Sequence, residues 1–333
     1  MSGAVTTPVA RSRWLTAAAW RGVLRDQPMI PLLALLAVLV LASELVRPGI
    51  VGPEWIGIIL RAAVPLVILA ACQTLTMLTG GIDLSVGAVA SMSGFVVASL
   101  AAGAGTPAGI VIALFAAALA GLVTGIGVGV FRVHPLIMTL GMGLVVFGLA
   151  NFLQLQTVTT SVGVPAELRW LGSQAFAQLI PYGLLIVVPL ATVILLGLTR
   201  TGYGRMLYAI GDNPIAARLS GIRSWQILVM LYVISALLAA VAGFLFSGYT
   251  NVASVALVDT SVLPSVAAAV IGGTSIMGGR GGFGGTIVGV LILTVITSLL
   301  SSLGYPEAVR QVLFGAIIVA VAAAYTRVTG ETS

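Results

Sequence analysis

Apolar residues run through this chain in blocks too long and continuous for the one-sided stripe of a surface helix, and most polar positions fall between the blocks. A helix needs about 20 apolar residues to cross a bilayer core, and irregular backbone is tolerated there only where protein or a water-filled cavity covers it. The pattern predicts ten spans: Ile30–Val46, Trp55–Leu78, Val86–Ala102, Pro107–Arg132, Pro135–Gln156, Leu179–Leu198, Trp225–Tyr249, Leu263–Met277, Phe283–Leu303 and Ala308–Tyr325. The third and eighth are short and flanked by glycine. The expected fold is therefore an all-α, polytopic transmembrane helical bundle. Residues 1–29 are read as a cytoplasmic tail with a surface-lying helix over Trp14–Arg25, residues 30–326 as the membrane domain, and residues 327–333 as a second cytoplasmic tail.

Two polar segments are longer than turns. Residues 157–178, with Pro165, Glu167, Arg169 and Trp170, are expected outside, the Trp resting at the interface. Residues 199–224 are expected inside. There Asp212 or Asn213 can cap a helix whose first turn holds Pro214, and Gly221 can close it about two turns later. A short helix lying across a cytoplasmic loop is suited to contacting a soluble partner. The chain also suggests two pseudo-repeat halves with Gly-interrupted helices. TGGIDLSVGAVASMSG, from Thr79, and IGGTSIMGGRGGFGGTIVG, from Ile271, each set a glycine pair at the end of an apolar run, Gly80 and Gly81 in one, Gly272 and Gly273 in the other. Paired interruptions of this kind point to a transport pathway.

Composition narrows the class. Only 7% of the 333 residues are charged, against roughly a quarter in soluble domains, while 59% are hydrophobic, so the outer surface must face lipid. All 15 basic residues are Arg, which excludes lysine chemistry. The net charge of +6 forms no dense block, so nucleic acid is not an expected partner. Short cytoplasmic loops are enriched in basic residues. With ten spans and an inside N-terminus, Arg11, Arg13, Arg21, Arg25, Arg132, Arg200, Arg205, Arg218, Arg223, Arg280 and Arg327 are inside, against Arg47, Arg61, Arg169 and Arg310 outside. One Cys (Cys72) and one His (His134) cannot build a disulfide framework or a zinc site, and no metal is expected.

Few residues offer chemistry. Asp83 lies between apolar stretches, where a carboxylate costs several kcal/mol unless it faces protein, water or helix-end amides. It can govern a gate, or cap the next helix through the amides of Ser85 or Val86, and the two roles are compatible. Asn151 and Gln154 share one helix face and suit a hydroxyl-rich solute, or simply an interhelical bond; Gln73, Thr74 and Thr76 are weaker candidates of the same type. His134 is read as an interface residue. The scarcity of intramembrane acids argues against ion-coupled transport. The glycine-rich run from Gly272 to Gly285 lacks the Gly-Lys-Ser/Thr ending of a phosphate loop and is read as close packing around Arg280.

Three stretches, TGGIDLSVG from Thr79, YAIGDNPIAARLSG from Tyr208 and AAVIGGTSIMGGRGG from Ala268, together resemble the permeases of ABC importers for ribose, arabinose, xylose, galactofuranose and related sugars, within a wider group that includes branched-chain amino-acid permeases. The resemblance spans roughly residues 55–325. It implies a bacterial inner-membrane subunit that is not itself an enzyme and binds no cofactor, ATP and Mg being held by a separate cytoplasmic ATPase. It also implies a second permease, identical or paralogous, and an external binding protein that delivers a monosaccharide. Gly211, Asp212, Asn213, Pro214, Ala216, Ala217, Arg218 and Gly221 then correspond to the coupling helix that docks on the ATPase, with Ala216 and Ala217 small enough for close approach. Family members often carry Glu-Leu-Asp where this chain has Val262, Leu263 and Pro264, so no role of those acids transfers. The alternatives are a permease for a nucleoside or amino acid and, further off, an ion-coupled transporter.

Overall fold

The computed structural model describes residues 29–156 and 163–329; the expected helix over Trp14–Arg25 lies outside them. The described chain is helical almost throughout. Its helices are α1 (Met29–Val46), α2 (Pro53–Met77), α3 (Val86–Ala104), α4 (Thr106–Gly129), α5 (Pro135–Gln156), α6 (Ala166–Ser173), α7 (Leu184–Arg200), α8 (Gly202–Asp212), α9 (Pro214–Leu219), α10 (Ser224–Thr250), α11 (Val262–Ile271), α12 (Phe283–Ser302) and α13 (Glu307–Thr329). A two-residue antiparallel pair, Ala175–Phe176 with Ile180–Pro181, follows α6.

Among the described residues, seven helices are long and apolar enough to cross a membrane: α1 to α5, α10 and α12. An eighth crossing results if α7 and α8, bent by 68° at Thr201, are taken as one broken span. The expected eighth span, Leu263–Met277, needs correction. Its helix stops at Ile271, and the glycines and turns that follow leave α11 a ten-residue half-helix. The expected loop 199–224 is also more ordered than a turn with one short helix, because α8 fills its first half.

The centre is α10, with α2, α3 and α4 packed around it. Small residues permit the close approach. On α4, Gly121, Gly125 and Gly129 recur every fourth residue; a Cβ at Gly121 would lie 2.5 Å from Tyr232 O, one at Gly125 2.7 Å from Val229 Cα, and one at Gly129 2.9 Å from Trp225 O. Farther along α10, a Cβ at Gly243 would collide with Ala90 O of α3. Large apolar side chains on α1, α4, α5 and α7 instead point outward, among them Leu41, Phe115, Leu144 and Val193. That belt takes lipid as its solvent, while Ala, Val and Leu make up most of the buried core.

Loops segregate to two ends, as alternating spans require. Thr106 Oγ1 donates to Glu167 Oε2 (3.1 Å), Gly172 abuts Gly248 and Tyr249, and Gly57 abuts Gln178, gathering the 47–57, 104–106, 163–183 and 248–261 segments at one end. The other end gathers residues 78–85, 129–135, 200–224 and 272–282, tied by Gly279 N–H to Leu78 O (3.0 Å) and Tyr208 Oη to Gly281 O (2.9 Å). Arg132, Arg200, Arg205, Arg218, Arg223 and Arg280 all belong to segments at this second end.

Candidate functional site

Two helix breaks face each other at the arginine-rich end, and they are built alike. After α2, Gly80 adopts φ +76°, its N–H donating to Met77 O (2.9 Å) while Gly81 N–H donates to Thr76 O (3.1 Å). After α11, Gly273 adopts φ +88°, its N–H donating to Val270 O (3.0 Å) while Thr274 N–H donates to Ala269 O (2.9 Å). Both are Schellman stops, in which a left-handed residue lets the last carbonyls of the helix find donors, and glycine has no Cβ to oppose that conformation. The equivalent of Gly80 is thus Gly273 rather than Gly272. Gly272 serves contact instead, since a Cβ there would collide with Thr286 N at the start of α12.

Asp83 sits in the first break, buried and hydrogen-bonded on both oxygens. Oδ1 accepts from Ser85 N (3.0 Å) and Ser85 Oγ (2.6 Å), and Oδ2 accepts from Ser235 Oγ of α10 (2.8 Å). Gln73 grips the backbone of the same residue, its Nε2 donating to Asp83 O (2.8 Å) and its Oε1 accepting from Asp83 N (3.3 Å). Cys72 Sγ donates to Ser235 O (3.3 Å) and Thr139 Oγ1 to Ile82 O (3.2 Å). The carboxylate therefore turns the chain locally through Ser85 and also fastens the break to the central helix. Gln73 and Ser85 join it in one cluster; Thr76 lies buried nearby, its hydroxyl bonded back to Cys72 O and Gln73 O. Ser235 was not a sequence candidate, because one Ser in an apolar run 152 residues away carries no local signal.

A third segment joins the two breaks. Gly211, the penultimate residue of α8, is wedged between them: a Cβ there would collide with Leu78 O and lie 2.5 Å from Gly279 N. A Cβ at Gly278 would lie 2.9 Å from both Gly211 O and Gly80 N, and one at Gly279 3.0 Å from Asp212 Cα. From this junction the chain passes directly into α9. Asn213 caps α9, its Oδ1 accepting from Ile215 N (3.0 Å) and Ala216 N (2.9 Å), Pro214 occupies the first turn, and Gly221 at φ +85° ends the helix. Asp212, Ala216, Arg218, Ile215 and Leu219 are exposed, Leu219 at 85% and Ile215 at 64%. Ala217 differs from its neighbour: it is buried and faces the bundle.

The structure does not bring Asn151 and Gln154 to this cluster. They lie on α5, whose flanking Leu149, Phe152 and Leu155 face outward, and Asn151 Nδ2 bonds back to Phe147 O (2.8 Å). At the opposite end of the bundle a cavity of about 380 Å³ opens between α2, α10, α11, α12 and α13. Tyr249, Thr260, Ser261, Thr294 and Thr297 line it with hydroxyls, and Glu307 and Arg310, paired at 2.8 Å, stand at its wall. Pro264 also lines it, at one of the positions where family members carry an acid. These hydroxyl residues come from α10, from the turn before α11 and from α12, and show no sequence motif.

The family model for the branched-chain amino acid transport system permease component matches residues 55–322. The fructose import permease of Rhizobium meliloti is 31% identical over 298 residues, 87% of this chain and 82% of that protein. The ribose import permease of Bacillus subtilis (strain 168) is 32% identical over 88% of this chain and 90% of its own length. The galactofuranose transporter permease of Escherichia coli (strain K12) is 31% identical over 95% of this chain and 91% of its own length. No solved structure matches the chain.

Proposed function

The chain belongs to this family of ABC importer permeases, multi-pass proteins of the bacterial inner membrane, and from that premise we propose that it moves a monosaccharide inward under the drive of a separate cytoplasmic ATPase. The sugar is inferred from the relatives named for fructose, ribose and galactofuranose import. The outer cavity, lined by neutral hydroxyls, is chemically suited to such a solute, whose own hydroxyls need donors and acceptors rather than charge. A second permease, identical or paralogous, and an external binding protein complete the assembly.

The observation that carries the mechanism is the continuity between α9 and the helix breaks. In this reading the exposed face of α9, with Ile215, Ala216 and Leu219, seats in the ATPase, and Ala217 anchors the helix to the bundle. Displacement of α9 then acts on Gly211, and through Leu78 and Gly279 on both half-helix breaks at once. Asp83 holds the first break to α10 through Ser235, so the displacement is delivered to the central helix. The test is reconstitution in vesicles with the cognate ATPase and binding protein. Uptake of labelled sugar should require all three and ATP, and the purified chain alone should hydrolyse none. ATP turnover by this polypeptide alone, or uptake without the ATPase, would overturn the reading.

A further inference from the structure

A groove of about 350 Å³ at the arginine-rich end is used by nothing described above. It lies where α4 ends and α5 and α10 begin, beside α9, and is lined by Arg132, Arg218, Arg223, Ser224, Trp225 and Leu228 among others. Three exposed arginines thus line one cleft. Arg218 Nε makes only a weak 3.3 Å contact to Pro214 O, and no acidic residue lines the groove among the described residues. Like charges gathered without a counter-ion repel one another, so such a site calls for an anion.

Arg132 stands at φ +57° in the turn between α4 and α5, and that turn sets it beside Arg218 and Arg223 along the groove.

The geometry points to an anionic phospholipid of the cytoplasmic leaflet, its headgroup phosphodiester held by Arg132, Arg218 and Arg223. The setting favours lipid over a soluble anion or a protein carboxylate. The groove lies at helix ends, where membrane meets water. Trp225, half exposed, is a residue type that prefers that level. Because Arg218 belongs to α9, a lipid bound here would also brace the element proposed to meet the ATPase.

The test uses the purified full-length chain in neutral detergent, titrated with phosphatidylglycerol or phosphatidylcholine while thermal unfolding is followed. Phosphatidylglycerol should raise the unfolding midpoint and phosphatidylcholine should not. Removing Arg132 or Arg223 should weaken the apparent affinity roughly fivefold each. Arg132→Gly is the informative variant, since it removes the charge and relaxes the backbone: its stability without lipid should hold or rise while its response to phosphatidylglycerol falls. Arg223→Gln checks the result without any backbone change, and Arg169→Gln at the other end should respond as wild type. The proposal is overturned if both groove variants respond as wild type, or if inorganic phosphate reproduces the full stabilisation. It is equally overturned if phosphatidylglycerol does nothing while the variants lose the ATPase on co-purification, which would make the groove a protein contact.

Discussion

Replacing Gly211 by alanine adds one methyl group where three backbone segments meet. That methyl would collide with Leu78 O and stand 2.9 Å from Leu78 C, on the path of the 3.0 Å hydrogen bond from Gly279 N–H to Leu78 O. The neighbours are backbone atoms, so no side-chain rotamer change can make room. The hydrogen bond is lost, at about 1 kcal/mol, and the segments move apart at an overpacking cost of roughly 1–3 kcal/mol, which together give about 2–4 kcal/mol. Gly221→Ala provides the comparison: it meets open space and costs only the left-handed backbone, about 1–2 kcal/mol. Thermal unfolding of the detergent-purified variants by tryptophan fluorescence should therefore rank wild type above Gly221→Ala above Gly211→Ala. Vesicles should show Gly211→Ala losing transport more steeply than it loses ATPase binding, because α9 remains exposed while its link to the breaks is displaced. If Gly211→Ala melts with wild type and transports normally, the junction is not a contact that matters and the coupling route through Leu78 fails.

Ala216→Trp should insert and melt like wild type yet neither retain the ATPase on co-purification nor support uptake, whereas Ala217→Trp, at a buried position, should lower the unfolding midpoint even without the ATPase. Asp83→Ala strands the Ser85 and Ser235 donors and should cost roughly 2–4 kcal/mol of stability, while Asp83→Asn, able to accept from Ser85 and donate to Ser235, should cost about half as much. Ser235→Ala should add little in the Asp83→Ala background, and full additivity of the two in thermal melts would disprove the bond. In a Cys72→Ser background, an impermeant thiol reagent on intact cells should modify a cysteine at 169 and spare those at 205 and 218; equal labelling of all three would refute the assigned sidedness.

Local signals in the sequence translated well into local structure. The Asn213–Pro214 start and Gly221 stop of α9 follow from capping chemistry that acts within four residues. Long apolar runs likewise announce helices such as α2 and α10. What was not legible depends on contacts between distant segments. Glycine pairs marked both breaks, but the pairing of Gly80 with Gly273 is visible only in which amide donates to which carbonyl. Gly211 reads as a loop hinge in sequence, and its packing role appears only when Leu78 and Gly279 arrive beside it. The expected span Leu263–Met277 runs through the Gly272–Gly273 stop because Ile276 and Met277 follow it, whereas the helix ends at Ile271. Ala216 and Ala217 are the same residue to a sequence reader, and only the roll of α9 separates the exposed one from the buried one.

The glycine stripe joining α4 to α10 constrains how the protein can change shape. Sliding one helix along the other by a single residue, about 1.5 Å, would carry backbone of α10 out of the three notches at Gly121, Gly125 and Gly129 and set side chains against them. Gly243 against Ala90 locks a later stretch of α10 to α3 in the same way. The three helices therefore form one stiff block, and the inward movement of solute proposed above calls for a rigid-body tilt of that block rather than a shear within it. The compliant part is the layer with few such notches, α5 on its lipid-facing flank, whereas the half-helix α11 is itself locked to α12, where Gly285 meets Gly272 and Gly289 meets Ala268.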